Sequence, residues 1–85
     1  MNLNELKKHK EISPEHQPLM TAIGSKIKEL RNGKRYKDMA KEIGISRNEY
    51  NLMELGKIYF KFSTLLKVLD FHKISLIDFM KELKL

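Results

Sequence analysis

Residues 37–57, Lys-Asp-Met-Ala-Lys-Glu-Ile-Gly-Ile-Ser-Arg-Asn-Glu-Tyr-Asn-Leu-Met-Glu-Leu-Gly-Lys, decide how this chain folds. Met39, Ala40 and Ile43 fall on one side of a short helix expected over about 36–43, and Ala40 is small enough for another helix to approach closely. Gly44 suits the left-handed conformation that ends a helix, and Ile45 supplies an apolar plug after the turn. Ser46 is a good N-cap for a second helix over about 47–55, which Gly56 closes. In that second helix Tyr50 and Met53, at i and i+3, face inward, which leaves Arg47, Asn48, Asn51 and Leu52 on other faces. Two short helices joined by a tight turn make a helix-turn-helix unit.

Apolar spacing extends this unit in both directions. Upstream, Pro18 fits the first turn of a helix, because a proline there loses no intrahelical bond. That helix runs to about Asn32 with Ile23, Ile27 and Leu30 as its buried stripe, carries Gly24 at a cost of about 1 kcal/mol, and ends at Asn32-Gly33. Downstream, 57–62 reads as an extended loop anchored by Tyr59, Phe60 and Phe62. Ser63 is expected to cap a fourth helix with Leu65, Leu66, Val68 and Leu69 largely in the core. Ser75 is expected to cap a fifth, where Leu76, Phe79, Met80 and Leu83 recur at i, i+3, i+4 and i+7 and Ile77 widens the apolar face. The expectation is all-α: a compact five-helix bundle over 18–85, preceded over 1–17 by a polar N-terminal arm or one short helix.

The 85 residues suffice for one small domain, of a size that buries only about 60% of the surface its unfolded chain exposes. Without cysteine there is no disulfide, no Cys-ligated zinc and no thiol nucleophile. The first twenty residues are charged and lack the apolar core of a signal peptide, and no apolar run approaches the roughly 20 residues that span a bilayer. A cytoplasmic protein without a membrane partner is the simplest expectation. His9, His16 and His72 are widely separated and lack a matching set of carboxylates, so neither catalysis nor a metal or other cofactor is expected; His72 reads as a helix-end residue. The net charge of +6 is concentrated: residues 21–43 hold Lys26, Lys28, Arg31, Lys34, Arg35, Lys37 and Lys41 against Glu29, Asp38 and Glu42. A basic region of this kind beside a helix-turn-helix unit is what a phosphate-facing surface looks like, and a solvated lysine-rich surface looks the same by charge alone.

Four pieces in order resemble the lambda repressor/Cro-type helix-turn-helix family, also called the XRE family: Ile-Gly-Ser-Lys-Ile-Lys-Glu-Leu-Arg at 23–31, Met-Ala-Lys-Glu-Ile-Gly-Ile-Ser at 39–46, Glu-Leu-Gly-Lys at 54–57 and Ser-Thr-Leu-Leu-Lys-Val-Leu at 63–69. The resemblance covers roughly 20–80 and implies a DNA-binding regulator, often dimeric, whose third helix enters the major groove of double-stranded DNA. Carried over by position, it implies that Arg47, Asn48, Asn51 and Leu52 face bases, that Tyr36, Lys37 and Lys57 lie near phosphates, and that Arg31 and Glu54 pair between the first and third helices. The chain departs from the family in three places. Tyr36 stands where relatives usually present a glutamine, and its hydroxyl can reach phosphate or its ring can pack on the first helix. The connection between Arg31 and Ala40 is about two residues shorter than is common. Leu52 and Leu55 put apolar surface where relatives often have polar groups, which suits either a thymine methyl or a protein partner.

Two alternatives remain open on the sequence. A protein-interaction module on the same fold, such as an adaptor or a toxin-neutralising partner, would use Leu52 and Leu55 or the fifth helix. A homodimer would use Leu76, Phe79, Met80 and Leu83, unless that stripe is wholly core.

Overall fold

The computed structural model describes residues 10–83; residues 1–9, which hold most of the expected arm and His9, lie outside the described residues, as do 84 and 85. Among the described residues, one turn of 3-10 helix at Pro14–His16 leads into five α-helices and no strand. These are α1 (Gln17–Arg31), α2 (Tyr36–Ile43), α3 (Arg47–Glu54), α4 (Phe62–Phe71) and α5 (Leu76–Lys81).

Local chemistry sets the boundaries. Asn32, at φ 51, takes the left-handed conformation that ends α1. Gly44, at φ 86, ends α2 in the same way, with the Gly44 and Ile45 N–H groups both donating to the Ala40 carbonyl. The Ser46 hydroxyl accepts from the Glu49 N–H at 3.0 Å and caps α3, and the Ser75 hydroxyl accepts from the Asp78 N–H at 3.1 Å and caps α5. Ser63 does not cap α4. The helix begins one residue earlier, at Phe62, with Lys61 as an N-cap that makes no side-chain bond.

One core joins the helices. Ile23 and Ile27 of α1 meet Met39, Ala40 and Ile43 of α2, Tyr50 and Met53 of α3, Leu65, Val68 and Leu69 of α4, and Phe79 of α5. Leu30, Tyr36 and Ile45 close its edge. Gly24 is where α1 meets α3: a Cβ there would stand 2.4 Å from the Glu54 carbonyl oxygen and 2.5 Å from that of Met53. The glycine is therefore the close-approach point that sets the spacing of the two helices, and its intrinsic helix cost is secondary.

The anchors beyond α3 differ from expectation. Ile58 is fully enclosed in the core while Phe62 is exposed, because the direction in which the chain leaves the Gly56 turn decides which side chain points inward. Leu66 is also partly exposed, since Leu65, Val68 and Leu69 take the whole core-facing side of α4. On α5 the expected dimer stripe is divided. Phe79 is fully buried, and Leu76 and Leu83 pack against the core, so these three belong to the domain interior. The outward apolar groups are Met80 and Ile77, the latter 68% exposed rather than widening the buried face.

Residues 13–17, assigned by sequence to the arm, are tied to the loop after α3. The Ser13 N–H donates to the Tyr59 hydroxyl at 3.1 Å, His16 Nδ1 lies 2.7 Å from the same oxygen, and Gln17 Nε2 donates to the Gly56 carbonyl at 2.8 Å. The bond from Ser13 lowers the Tyr59 phenol below its ordinary value.

Candidate nucleic-acid interface

The helix at issue is α3, eight residues long and packed by α1 and α2. Tyr50, Met53 and Glu54 are enclosed, and so is Leu52, with no exposed surface at all. Leu52 therefore cannot face bases, contrary to the expectation. It lies about 140° around the helix from Arg47, on the side where the chain folds back after Gly56. There the Lys57 N–H donates to the Leu52 carbonyl at 3.0 Å, and Leu52 and Ile58 belong to the same buried cluster. What α3 presents is a narrower stripe: exposed Arg47 and Leu55 with half-buried Asn48 and Asn51. Positions 47, 51 and 55 are successive i, i+4 neighbours with 48 beside them, so the four share one face. Leu55, 48% exposed, has joined the face from which Leu52 is excluded. The sequence carried no sign of this exchange, since both are leucines at the margin of the helix.

The far end of α3 is held by a charge pair. Arg31 Nε donates to Glu54 Oε2 at 2.7 Å and Arg31 Nη2 to Glu54 Oε1 at 3.2 Å, a bidentate arrangement. The side chains are 12% and 1% exposed. The carboxylate raises the Arg31 guanidinium further above its already high value. Arg31 Nη1 also donates to the Lys34 carbonyl at 2.5 Å, which ties down the short connection between α1 and α2. Tyr36 completes the assembly: the Arg31 guanidinium carbon lies 4.1 Å from the centroid of its ring, and its ring centroid is 6.2 Å from that of Tyr50. Burial and the adjacent Glu54 push the Tyr50 phenol well above its usual range.

Around the presented end of α3 lie two concavities. A shallow basic one of about 390 Å³ is lined by Lys34 and Arg35 from the connection before α2 and by Tyr36 and Lys37 from its start, together with Arg31 and Arg47. Lys37 and Arg47, expected in different roles, thus share one depression. Of its cations, Arg31 is committed to Glu54 and Arg35 to Asp38, the latter at 3.0 Å on an exposed surface. Lys34 places its ammonium 5.1 Å over the Phe71 ring, beside His72, whose imidazole is lowered by burial and then by the Lys34 charge. Lys26 lies elsewhere, bound to Glu82 at 2.8 Å, so not all of the basic excess at 21–43 belongs to this surface.

The second concavity, about 690 Å³, flanks the other side of the α3 N-terminus and is lined by residues including Ser46, Glu49, Tyr59, Lys61 and Lys67. Lys61 and Lys67 were not singled out in the sequence, because they lie beyond the motif, Lys61 at the N-cap of α4 and Lys67 within that helix. Lys57 is exposed just past the C-terminal end of α3. The arrangement is a polar stripe able to donate and accept hydrogen bonds, flanked by depressions that carry lysine and arginine, with its inner end fixed by a buried ion pair. Chemically it is suited to an anionic polymer whose edges present donors and acceptors.

Among the described residues no helix is long and apolar enough to cross a membrane. No curated protein and no solved structure gives a significant match to the chain. A family model described as helix-turn-helix matches residues 27–79, well over half of the chain. The match takes in Arg31, α2, the Gly44 turn, α3 with Glu54, and α4, and ends within α5. The chain belongs to the lambda repressor-like, or XRE, helix-turn-helix family, a family of DNA-binding regulators.

Proposed function

We propose that this protein is a sequence-specific DNA-binding transcriptional regulator, without catalytic activity, in which α3 enters the major groove. Arg47 and Asn48 make the main base contacts and Asn51 tunes them. Arginine donates two bonds to guanine O6 and N7, and asparagine pairs bidentately with adenine. Lys37 and Lys57 contact phosphates, and Lys61 and Lys67 do so on the other flank. One observation carries the reading: Arg47 stands both on the outward stripe of α3 and in the wall of the basic depression that contains Lys37. One helix end is thereby offered to bases and backbone together.

The test is a salt-dependent binding titration against duplex from the protein's own upstream region, with an unrelated duplex for comparison. Tighter binding to the first, with log affinity falling linearly against log salt, is expected. Equal, weak binding to both at every salt concentration would reject sequence-specific recognition.

Homodimerisation is part of the proposal, with two α3 helices about 34 Å apart on a near-palindromic site. With Phe79, Leu76 and Leu83 committed to the core, a second copy would meet Ile77 and Met80. Sedimentation showing a monomer at micromolar concentration, with and without DNA, would remove the dimer. The competing reading, a protein-interaction module, is favoured by one observation, the exposure of Leu55. Leu55→Ala separates the two: it abolishes capture of a protein partner on that reading, and leaves the preference among DNA sequences set by Arg47 intact on ours.

A further inference from the structure

We propose that Tyr36 is a positioning residue of the DNA-reading surface, acting through its ring on Arg31 and not through its hydroxyl on a phosphate. The inference rests on the DNA-binding reading above and assigns a role within the same site.

The guanidinium of Arg31 has five N–H donors in a rigid plane. Its edge is occupied by both oxygens of Glu54 and by the Lys34 carbonyl. Its face is left for Tyr36, whose ring centroid is 4.1 Å from the guanidinium carbon. An aromatic face so placed attracts the cation and also keeps water from the ion pair, and a pair with less water around it interacts more strongly. The same ring lies 6.2 Å from that of Tyr50, on the inward side of α3.

Tyr36 is the first residue of α2, so one side chain joins the start of α2 to the end of α1 and to α3. Its backbone neighbour Lys37 and the α3 residue Arg47 line the depression that Tyr36 also lines. The separation between a phosphate-contacting lysine and a base-contacting arginine is therefore set across the Tyr36 ring. Misplacing it would cost recognition of the correct sequence more than attraction to DNA in general, because attraction to phosphates tolerates displacement and bidentate base contacts do not.

Two variants separate ring from hydroxyl. Tyr36→Phe keeps the ring and loses the hydroxyl; Tyr36→Gln keeps a polar donor able to reach phosphate and loses the ring. Two readouts are taken. In the free protein, the 1H–15N resonance of the Arg31 Nε–H, bonded to Glu54 and lying against the ring, reports ring current and solvent exchange. In binding titrations, the ratio of specific to non-specific affinity is measured together with the salt slope. Tyr36→Phe is expected to keep the Arg31 resonance, the ratio and the slope. Tyr36→Gln is expected to move the resonance, speed its exchange and lower the ratio about tenfold with the slope unchanged.

A Tyr36→Phe variant that loses affinity for all sequences and about one unit of salt slope, while its Arg31 resonance stays in place, overturns the proposal in favour of a phosphate contact. If Tyr36→Gln fails to fold, Tyr36→Leu, apolar but without an aromatic face, takes its place with the same expectation. A Tyr36→Leu protein with wild-type resonance and ratio overturns the proposal as well. Failure of the wild type to bind any duplex overturns the DNA reading itself and, with it, any role for Tyr36 on DNA; wild-type binding with Tyr36→Phe behaving like Tyr36→Gln overturns only the role given to the ring.

Discussion

The two ends of α3 are built on opposite principles. At its C-terminal end Leu52 and Met53 are enclosed, Glu54 is locked to Arg31, and the backbone carbonyls of Met53 and Glu54 lie against Gly24. At its N-terminal end Ser46 caps the helix, Arg47 stands in solvent and Asn48 and Asn51 are only half covered. A helix of eight residues cannot hold itself in place, since isolated helices this short are unstable in water. Fixing it from the end that reads nothing leaves the other end free to be polar. Substitutions at the inner end should therefore act on stability and reach binding only through it, while substitutions of the outward side chains at the outer end, the cap aside, should act on binding alone.

The largest effect is expected where the inner end would be left with a stranded charge. Arg31→Ala or Glu54→Ala should each lower stability by about 3 to 5 kcal/mol, measured by urea denaturation, because the remaining buried ion loses its partner. A loss of only a few tenths from either would break the comparison at its strongest point. Replacing both by apolar residues of similar volume should recover much of the loss, although the Lys34 carbonyl would still forfeit the Arg31 bond.

Next comes Gly24→Ala. On an exposed helix this change gains about 1 kcal/mol. Here the new methyl would meet backbone oxygens at 2.4 and 2.5 Å, which cannot rotate away as a side chain would. A net loss of about 2 kcal/mol is expected, overpacking commonly costing about 1 to 3 or more. A stabilised Gly24→Ala protein would show that α1 and α3 can move apart, and that the inner end is held by the ion pair alone.

The features legible in the sequence are the ones that local chemistry decides. Ser46, Ser75, Gly44 and Asn32 mark helix ends because a cap or a left-handed turn involves residues three or four apart. The Arg31–Glu54 contact was reached through the resemblance to the family, not through spacing. Side-chain burial across elements was harder to read. Leu52 and Leu55 are chemically equivalent three positions apart, and the chain's path after Gly56 decides which is covered. The same path encloses Ile58 and leaves Phe62 in solvent, against the order of their sizes. Gly24 read as a defect, since its reason is a backbone about thirty residues away. Nothing within reach of Tyr59 in sequence announces Ser13 and His16 as its partners.

At the outer end, Arg47→Ala should leave stability within about 0.5 kcal/mol of wild type and reduce discrimination against altered sites by about 1 to 3 kcal/mol. Lys37→Ala, beside the outer end, and Lys57→Ala, on the exposed surface past the C-terminal end of α3, should weaken binding to all sequences alike and lower the salt slope by about one each. Competition titrations with single-base variants of the preferred site distinguish these outcomes. If Arg47→Ala destabilises the fold by as much as Gly24→Ala, the outer end is structural and the contrast fails.

The smallest effect has an internal control. Ser46 and Ser75 cap α3 and α5 through the same bond, hydroxyl to the N–H three residues on, at 3.0 and 3.1 Å. Replacing either with alanine should cost about 1 kcal/mol of stability, since an N-cap is worth roughly that wherever it occurs. Their effects on binding should differ. Ser46 fixes the first turn of the helix that carries Arg47 and Asn48, so its loss frays the turn that must be ordered on DNA, and specific affinity should fall severalfold beyond what the stability change explains. Ser75 caps α5, which carries none of the stripe and whose outward Ile77 and Met80 are given only to the dimer, so Ser75→Ala should bind a single half-site as wild type. Thermal denaturation establishes whether the two variants are equally destabilised, and a titration at fixed salt then compares them. Equal binding by both would mean that the N-terminal turn of α3 is held by something other than its cap, and that the outer end is less exposed to disorder than its solvent contact implies.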